Sequence, residues 1–149
     1  MVDILSTHGY PALFLLSFLA STILPLGSEW LLATLVVQGL DPLLSVAIAT
    51  TGNTLGACTT FAIGLFGGPF LIERVLRINS ESREKAEKFF GKYGLWSILF
   101  SWVPVVGDPL CLVAGVLRVR FGIFVVLVLI GKLARYGIIS LMALKYQGL

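Results

Sequence analysis

Apolar residues run along this chain in long blocks separated by short clusters of proline, glycine and charge. The blocks cover residues 10–24, 30–40, 43–66, 95–103, 110–117 and 121–144. A helix rises about 1.5 Å per residue and a bilayer core is about 30 Å thick. Blocks 43–66 and 121–144, each roughly 36 Å long as helices, are therefore predicted to span a membrane, whereas 10–24 reaches only about 22 Å.

The shorter blocks come in pairs around a break. The first break is Leu24-Pro25-Leu26-Gly27-Ser28-Glu29 and the second is Val103-Pro104-Val105-Val106-Gly107-Asp108-Pro109. Proline removes a backbone donor and glycine weakens a helix, so each cluster should end one half-helix and start another. Two helical hairpins are predicted, 10–40 and 95–117. Irregular backbone at membrane depth is tolerated only where protein or a wet cavity surrounds it.

Hairpin then span occurs twice, in 10–66 and in 95–144, within a single membrane domain of residues 1–149. At an offset of 79 residues, Glu29 falls on Asp108 and Asn53 on Lys132, which keeps the same separation of 24 within each half. A single span between the hairpins sets their mouths on opposite faces, the arrangement of inverted-repeat transporters. The expected fold is an all-α integral membrane protein of two inverted halves. Each half is a re-entrant hairpin plus a transmembrane helix, and a cytoplasmic amphipathic helix joins them.

Composition agrees with this reading. Of 149 residues, 57% are hydrophobic and 13% charged, with a mean hydropathy of +0.95, against about 25% charged in an ordinary soluble domain. A soluble enzyme, a secreted disulfide scaffold and a nucleic-acid binder are disfavoured. Ten of the nineteen charged side chains lie in 73–92, including six of the eleven basic ones: Arg74, Arg77, Arg83, Lys85, Lys88 and Lys92. The positive-inside rule puts that segment in the cytoplasm. Glu81 with Lys85 and Glu84 with Lys88 are spaced for pairing along a helix, and Ala86, Phe89, Phe90 and Tyr93 form an apolar side suited to lying on a membrane surface. Residues 1–26 hold Asp3 and no basic residue, unlike a signal peptide, and are expected to be retained.

Ionisable residues inside apolar segments mark a pathway or ligand site by default. Four stand out: Glu29, Asp108, Lys132 and Arg135. The two acids also suit helix starts, with Ser28 as an N-cap ahead of Glu29, and Asp108 as an N-cap ahead of Pro109. A carboxylate in a dry site would tend to protonate, while one paired with a cation would stay charged. Lys132 and Arg135 share a face and could bind a phosphate-bearing headgroup near half-helix N-termini or pair with the two acids. Pro25, Gly27, Ser28, Asn53, Pro104, Gly107 and Pro109 are the supporting positions. Asn53 lies beside Thr51, Gly52, Thr54 and Gly56, a cluster suited to helix packing. Trp30, Trp96 and Trp102 could anchor the chain at the interface, or Trp102, beside Pro104, could instead line the second break.

Catalysis is not expected. The single histidine, His8, argues against an ordinary Ser/His/Asp arrangement, and neither a nucleotide loop nor metal-ligand spacing occurs. Cys58 and Cys111 read as packed hydrophobes, so neither a metal nor a cofactor is expected.

Four segments, Leu24 to Glu29, Gly52-Asn53-Thr54-Leu55-Gly56, Phe89-Phe90-Gly91-Lys92-Tyr93-Gly94, and Ser101 to Pro109 leading to Ala114-Gly115, give the chain a resemblance. Taken in order they resemble the DedA family of bacterial inner-membrane proteins, also called VTT or SNARE-associated Golgi domain proteins, and its small YqaA branch. The resemblance implies two re-entrant hairpins meeting in the membrane and transport of undecaprenyl phosphate or phospholipid. The family's acid after the first proline and glycine maps onto Glu29. Many members carry Arg where this chain has Ser101 and Gly107, and Asp near Ala57.

The expected function is a flippase or scramblase of a phosphate-bearing lipid in the bacterial inner membrane, with membrane lipids as partners. A proton- or cation-coupled carrier of a small solute is the alternative, with Glu29 and Asp108 titrating. A non-transport assembly role, in which the charges only pair, is a third. A homo-oligomer is compatible with each.

Overall fold

The computed structural model describes residues 2–22, 28–67, 79–103 and 106–148. All regular structure in them is helical. In chain order the elements are α1 (Val2–Ala20), α2 (Ser28–Val37), α3 (Pro42–Phe66), α4 (Ser80–Tyr93), a 3₁₀ helix (Gly94–Trp102), α5 (Gly107–Val116) and α6 (Phe121–Gln147). Pro25, Gly27 and Pro104, and residues 73–78 of the charged segment, lie outside the described residues.

The two long blocks form the two long helices. α3 has 25 residues and α6 has 27, and both are apolar enough to cross a membrane. The Asp41 carboxylate starts α3 by accepting from the Leu44 amide at 2.8 Å, and Pro42 occupies the first turn, where its missing donor costs nothing. Gly67, in extended backbone, follows the last turn.

The shorter elements are shared between these two helices. α1 lies along α3, where Gly52 and Gly56 let the backbone carbonyls of Phe14 and Phe18 approach. Those glycines serve packing, as the cluster around Asn53 predicts. α2 turns back beside α1, with Gly9 against Leu35, but makes more of its contacts with α6. The 3₁₀ helix lies along α6, with the Leu99 carbonyl over Gly131, and α5 crosses α3, where Gly64 meets the Leu112 backbone and Gly115 the Phe61 backbone. Each pair thus sends its first member along the long helix of its own half and its second to that of the other half.

The apolar core follows the same division. Leu13, Leu32, Leu35, Val46 and Ala49 pack with Tyr136 in one cluster. Ala57, Phe61, Ile98, Cys111, Phe124 and Val128 pack in another.

α4 forms where the charged segment predicts a helix, started by the Asn79 side chain accepting from the Ser82 amide at 2.8 Å. Its Glu81–Lys85 and Glu84–Lys88 pairs are made, and Arg83–Glu87 adds a third. Part of its apolar side packs on protein: Ala86 is fully buried against Leu110 and Val113 of α5, with Phe89 and Phe90 alongside, while Tyr93 is exposed. Burying the strip against protein competes with burying it in lipid, and the short connection to the 3₁₀ helix keeps the protein surface near. Gly94, with φ +61°, makes that connection in a conformation side-chain-bearing residues avoid.

Candidate functional site

The four ionisable residues singled out in the sequence gather around one stretch of α6. Lys132, Arg135 and Tyr136 are spaced three and four apart, so they crowd one side of the helix. The ends of four other elements come to them.

Lys132 is 3% exposed. Its Nζ donates to the Asn53 Oδ1 of α3 and to the Ser21 Oγ just past α1, the latter at 3.3 Å. Asn53 uses its other polar atom as well, donating from Nδ2 to the Ser17 carbonyl at 2.9 Å. An amide suits this position because it accepts on one side and donates on the other. Ser21 extends the chain of bonds, its hydroxyl donating to Asp108 Oδ1 at 3.4 Å while its carbonyl accepts from Thr60 at 3.0 Å. Lys132 and Asp108 are therefore joined through a hydroxyl.

Arg135 makes the direct ion pair. Its Nη2 bonds Glu29 Oε1 at the start of α2, and its Nη1 donates to the Trp102 carbonyl at 2.7 Å, where the 3₁₀ helix ends. One guanidinium thus ties together residues beside both breaks. Next to it, the Tyr136 and Ser28 hydroxyls share a bond of 2.8 Å. Ser28 is buried and uses its hydroxyl on α6.

Asp108 does not cap α5. The helix begins at Gly107, Val106 precedes it with no side-chain cap, and the carboxylate points to Ser21 instead. Pro109 follows in the first turn and is buried, as is Gly107, whose missing side chain admits the Ser101 backbone. Ser101 and Thr54 hold buried hydroxyls without a hydrogen-bond partner among the described residues.

Arg135 is the fifteenth of 27 residues in α6. Trp30 follows its partner Glu29, and Trp102 supplies its carbonyl, so both lie level with the middle of α6 rather than at its ends. Sequence reasoning missed Ser21, Tyr136 and the Trp102 carbonyl. Serine and tyrosine are ordinary in apolar helices, and a carbonyl belongs to every residue, so none of these carried a signal.

Among the described residues no group of three or more His, Cys, Asp or Glu side chains is placed to hold a metal. What the arrangement offers is two cations and two carboxylates in an apolar setting, at least one cation with donors to spare.

The chain matches the VTT domain over residues 24–144. It is 38% identical over 139 residues to the inner membrane protein YqaA of Escherichia coli (strain K12), covering 93% of this chain and 92% of that protein. The protein of the same name from Shigella flexneri matches equally well. An uncharacterized protein of Haemophilus influenzae is 34% identical over 132 residues, 83% of this chain and 80% of its own length. No solved structure matches. A domain match over most of the length, and relatives aligned almost end to end, establish that the chain belongs to the VTT-domain (DedA) family.

Proposed function

We propose that this protein is an inner-membrane lipid transporter that moves a phosphate-bearing lipid between leaflets without catalysing a reaction. In this reading α1 with α2, and the 3₁₀ helix with α5, are re-entrant hairpins of two inverted halves, and the charged segment 73–92 is cytoplasmic. One observation carries it: Arg135, midway along a helix long enough to span the bilayer, bonds both the start of α2 and the end of the 3₁₀ helix. A cation held between two hairpin tips can meet a headgroup arriving from either side. The exchange of partners between halves supports the inverted repeat. So does the Lys132–Asn53 bond, because these residues are equivalent at the 79-residue offset, and equivalent residues of a two-fold repeat touch only beside its axis. The inner-membrane relatives support the location.

The test is lipid movement in vesicles containing the purified protein. Wild type accelerates transbilayer exchange of a fluorescent phospholipid, and Arg135→Ala lowers the rate by about ten- to hundredfold, the cost of a charge-assisted contact. Exchange at the protein-free rate, where a known scramblase works, overturns the proposal. The direct Glu29–Arg135 bond favours a second reading, in which the charges only hold the halves together. Under it the stably folded double variant Glu29→Lys with Arg135→Glu keeps wild-type behaviour; under the transport reading it loses it.

A further inference from the structure

The two cations of α6 differ in what can reach them. Lys132 is 3% exposed, with its ammonium enclosed by Asn53 and Ser21. The side chains of Arg135 and Glu29 are 23% and 28% exposed. Arg135 lies about 21 Å along α6 from Phe121 and about 18 Å from Gln147 at the usual helical rise. The exposed side chains of the residues next to the pair are apolar in body: Trp30, which follows Glu29, is 81% exposed, and Trp102, whose carbonyl Arg135 bonds, is 41% exposed.

If α6 crosses the bilayer, as its length and apolarity allow, a surface of this kind at this depth faces hydrocarbon rather than water. A guanidinium carries five N–H donors, of which Glu29 and the Trp102 carbonyl account for two. Polar groups left without partners in lipid cost several kcal/mol each, so the exposed part of this pair is stabilised by a polar group that can travel within the bilayer. Phosphate oxygens match the fork of a guanidinium as a carboxylate does, and compete with Glu29 for it.

We infer that the Glu29–Arg135 pair is a headgroup port open sideways to the bilayer, so that a lipid gives the protein its phosphate while its tails remain in hydrocarbon. This rests on the transport reading and deepens it. Arg135 takes the headgroup, and Lys132 holds α6 to α1 and α3 internally. With the port open sideways in this way the tails stay outside the protein, so transport discriminates between headgroups and hardly at all between chain lengths. Inorganic phosphate, confined to water, has no access.

The experiment uses the full chain in phosphatidylcholine–phosphatidylglycerol vesicles. In the variant Trp96→Phe with Trp102→Phe, Trp30 reports the port. Mid-chain brominated phosphatidylcholine quenches Trp30 more strongly than acrylamide does; the reverse overturns the lateral opening. Fluorescent phosphatidylglycerols of short and long tails cross at rates within about twofold of each other, and millimolar inorganic phosphate leaves those rates unchanged. Rates differing by more than about tenfold, or competition by inorganic phosphate, overturn the port while leaving transport intact. If wild type moves no lipid, the transport reading fails and the quenching result alone decides whether the pair faces the bilayer.

Discussion

The Lys132–Asn53 contact places a primary amine and an amide in the buried interior. Lys132 has Ser21 as its other partner and Asn53 has the Ser17 carbonyl, so replacing Asn53 leaves the buried ammonium with Ser21 alone, whereas replacing both removes most of that demand. Asn53→Leu should lower stability by about 1–3 kcal/mol, read as a drop in the thermal unfolding midpoint in detergent. Adding Lys132→Met to it should restore part of that loss, and a strictly additive double variant would contradict the coupling. Tyr136→Phe removes a single neutral bond, to Ser28, and should cost about 0.5–1.5 kcal/mol. Such pairings were only half legible in the sequence. The charge of Lys132 and the polarity of Asn53 mark both as out of place in apolar blocks, but nothing in composition says that they meet. Ser21 is beyond reach altogether, since a serine among leucines has no unusual property until Lys132 and Asp108 stand on either side of it.

At the scale of elements, glycines divide into those that admit a neighbour and those that do not. A Cβ on Gly115 would run into the Phe61 backbone of α3, and one on Gly137 meets nothing within 4 Å. Gly115→Ala should therefore destabilise by about 1–3 kcal/mol, and Gly137→Ala should be neutral or stabilising by up to about 1 kcal/mol through helix propensity. Unfolding midpoints of the two variants make the comparison. In α4, the bond from Lys85 holds the Glu81 carboxyl below the ordinary glutamate range. A lowered value means that the carboxylate contributes above the unfolded-state pKa and that the contribution fades as pH falls through the folded one. Lys85→Ala should raise the Glu81 titration midpoint, followed by carboxyl-carbon NMR. The long helices were readable because 43–66 and 121–144 are uninterrupted; they emerge as Pro42–Phe66 and Phe121–Gln147. The segment 95–103 was readable as apolar and helical but not as 3₁₀. Its form goes with tertiary contacts, the Leu99 carbonyl over Gly131 and the Trp102 carbonyl on Arg135, which periodicity does not encode.

Across the whole molecule, the ends of α6 and α2 are fastened together by Gln147, whose amide donates to the Val37 carbonyl at 2.9 Å. That bond and the Ser28–Tyr136 bond show α2 running in the same direction as α6. In the proposed topology both helices end at the outer face, opposite α4. In a background with Cys58 and Cys111 replaced by Ala, Lys88→Cys should react with a membrane-impermeant maleimide only after the cytoplasmic side is opened, and Asp41→Cys in intact spheroplasts. Labelling of both from one side would overturn the inverted arrangement. The two acidic and two basic side chains gathered around α6, Glu29, Asp108, Lys132 and Arg135, also sum to zero formal charge. Carrying one elementary charge across 100 mV is worth about 2.3 kcal/mol, so a resting cluster of this kind, moved as a unit, is indifferent to the membrane potential. Under the proposed transport reading, the field would act once an anionic headgroup joins the cluster, and the loaded protein would be the form that voltage can drive.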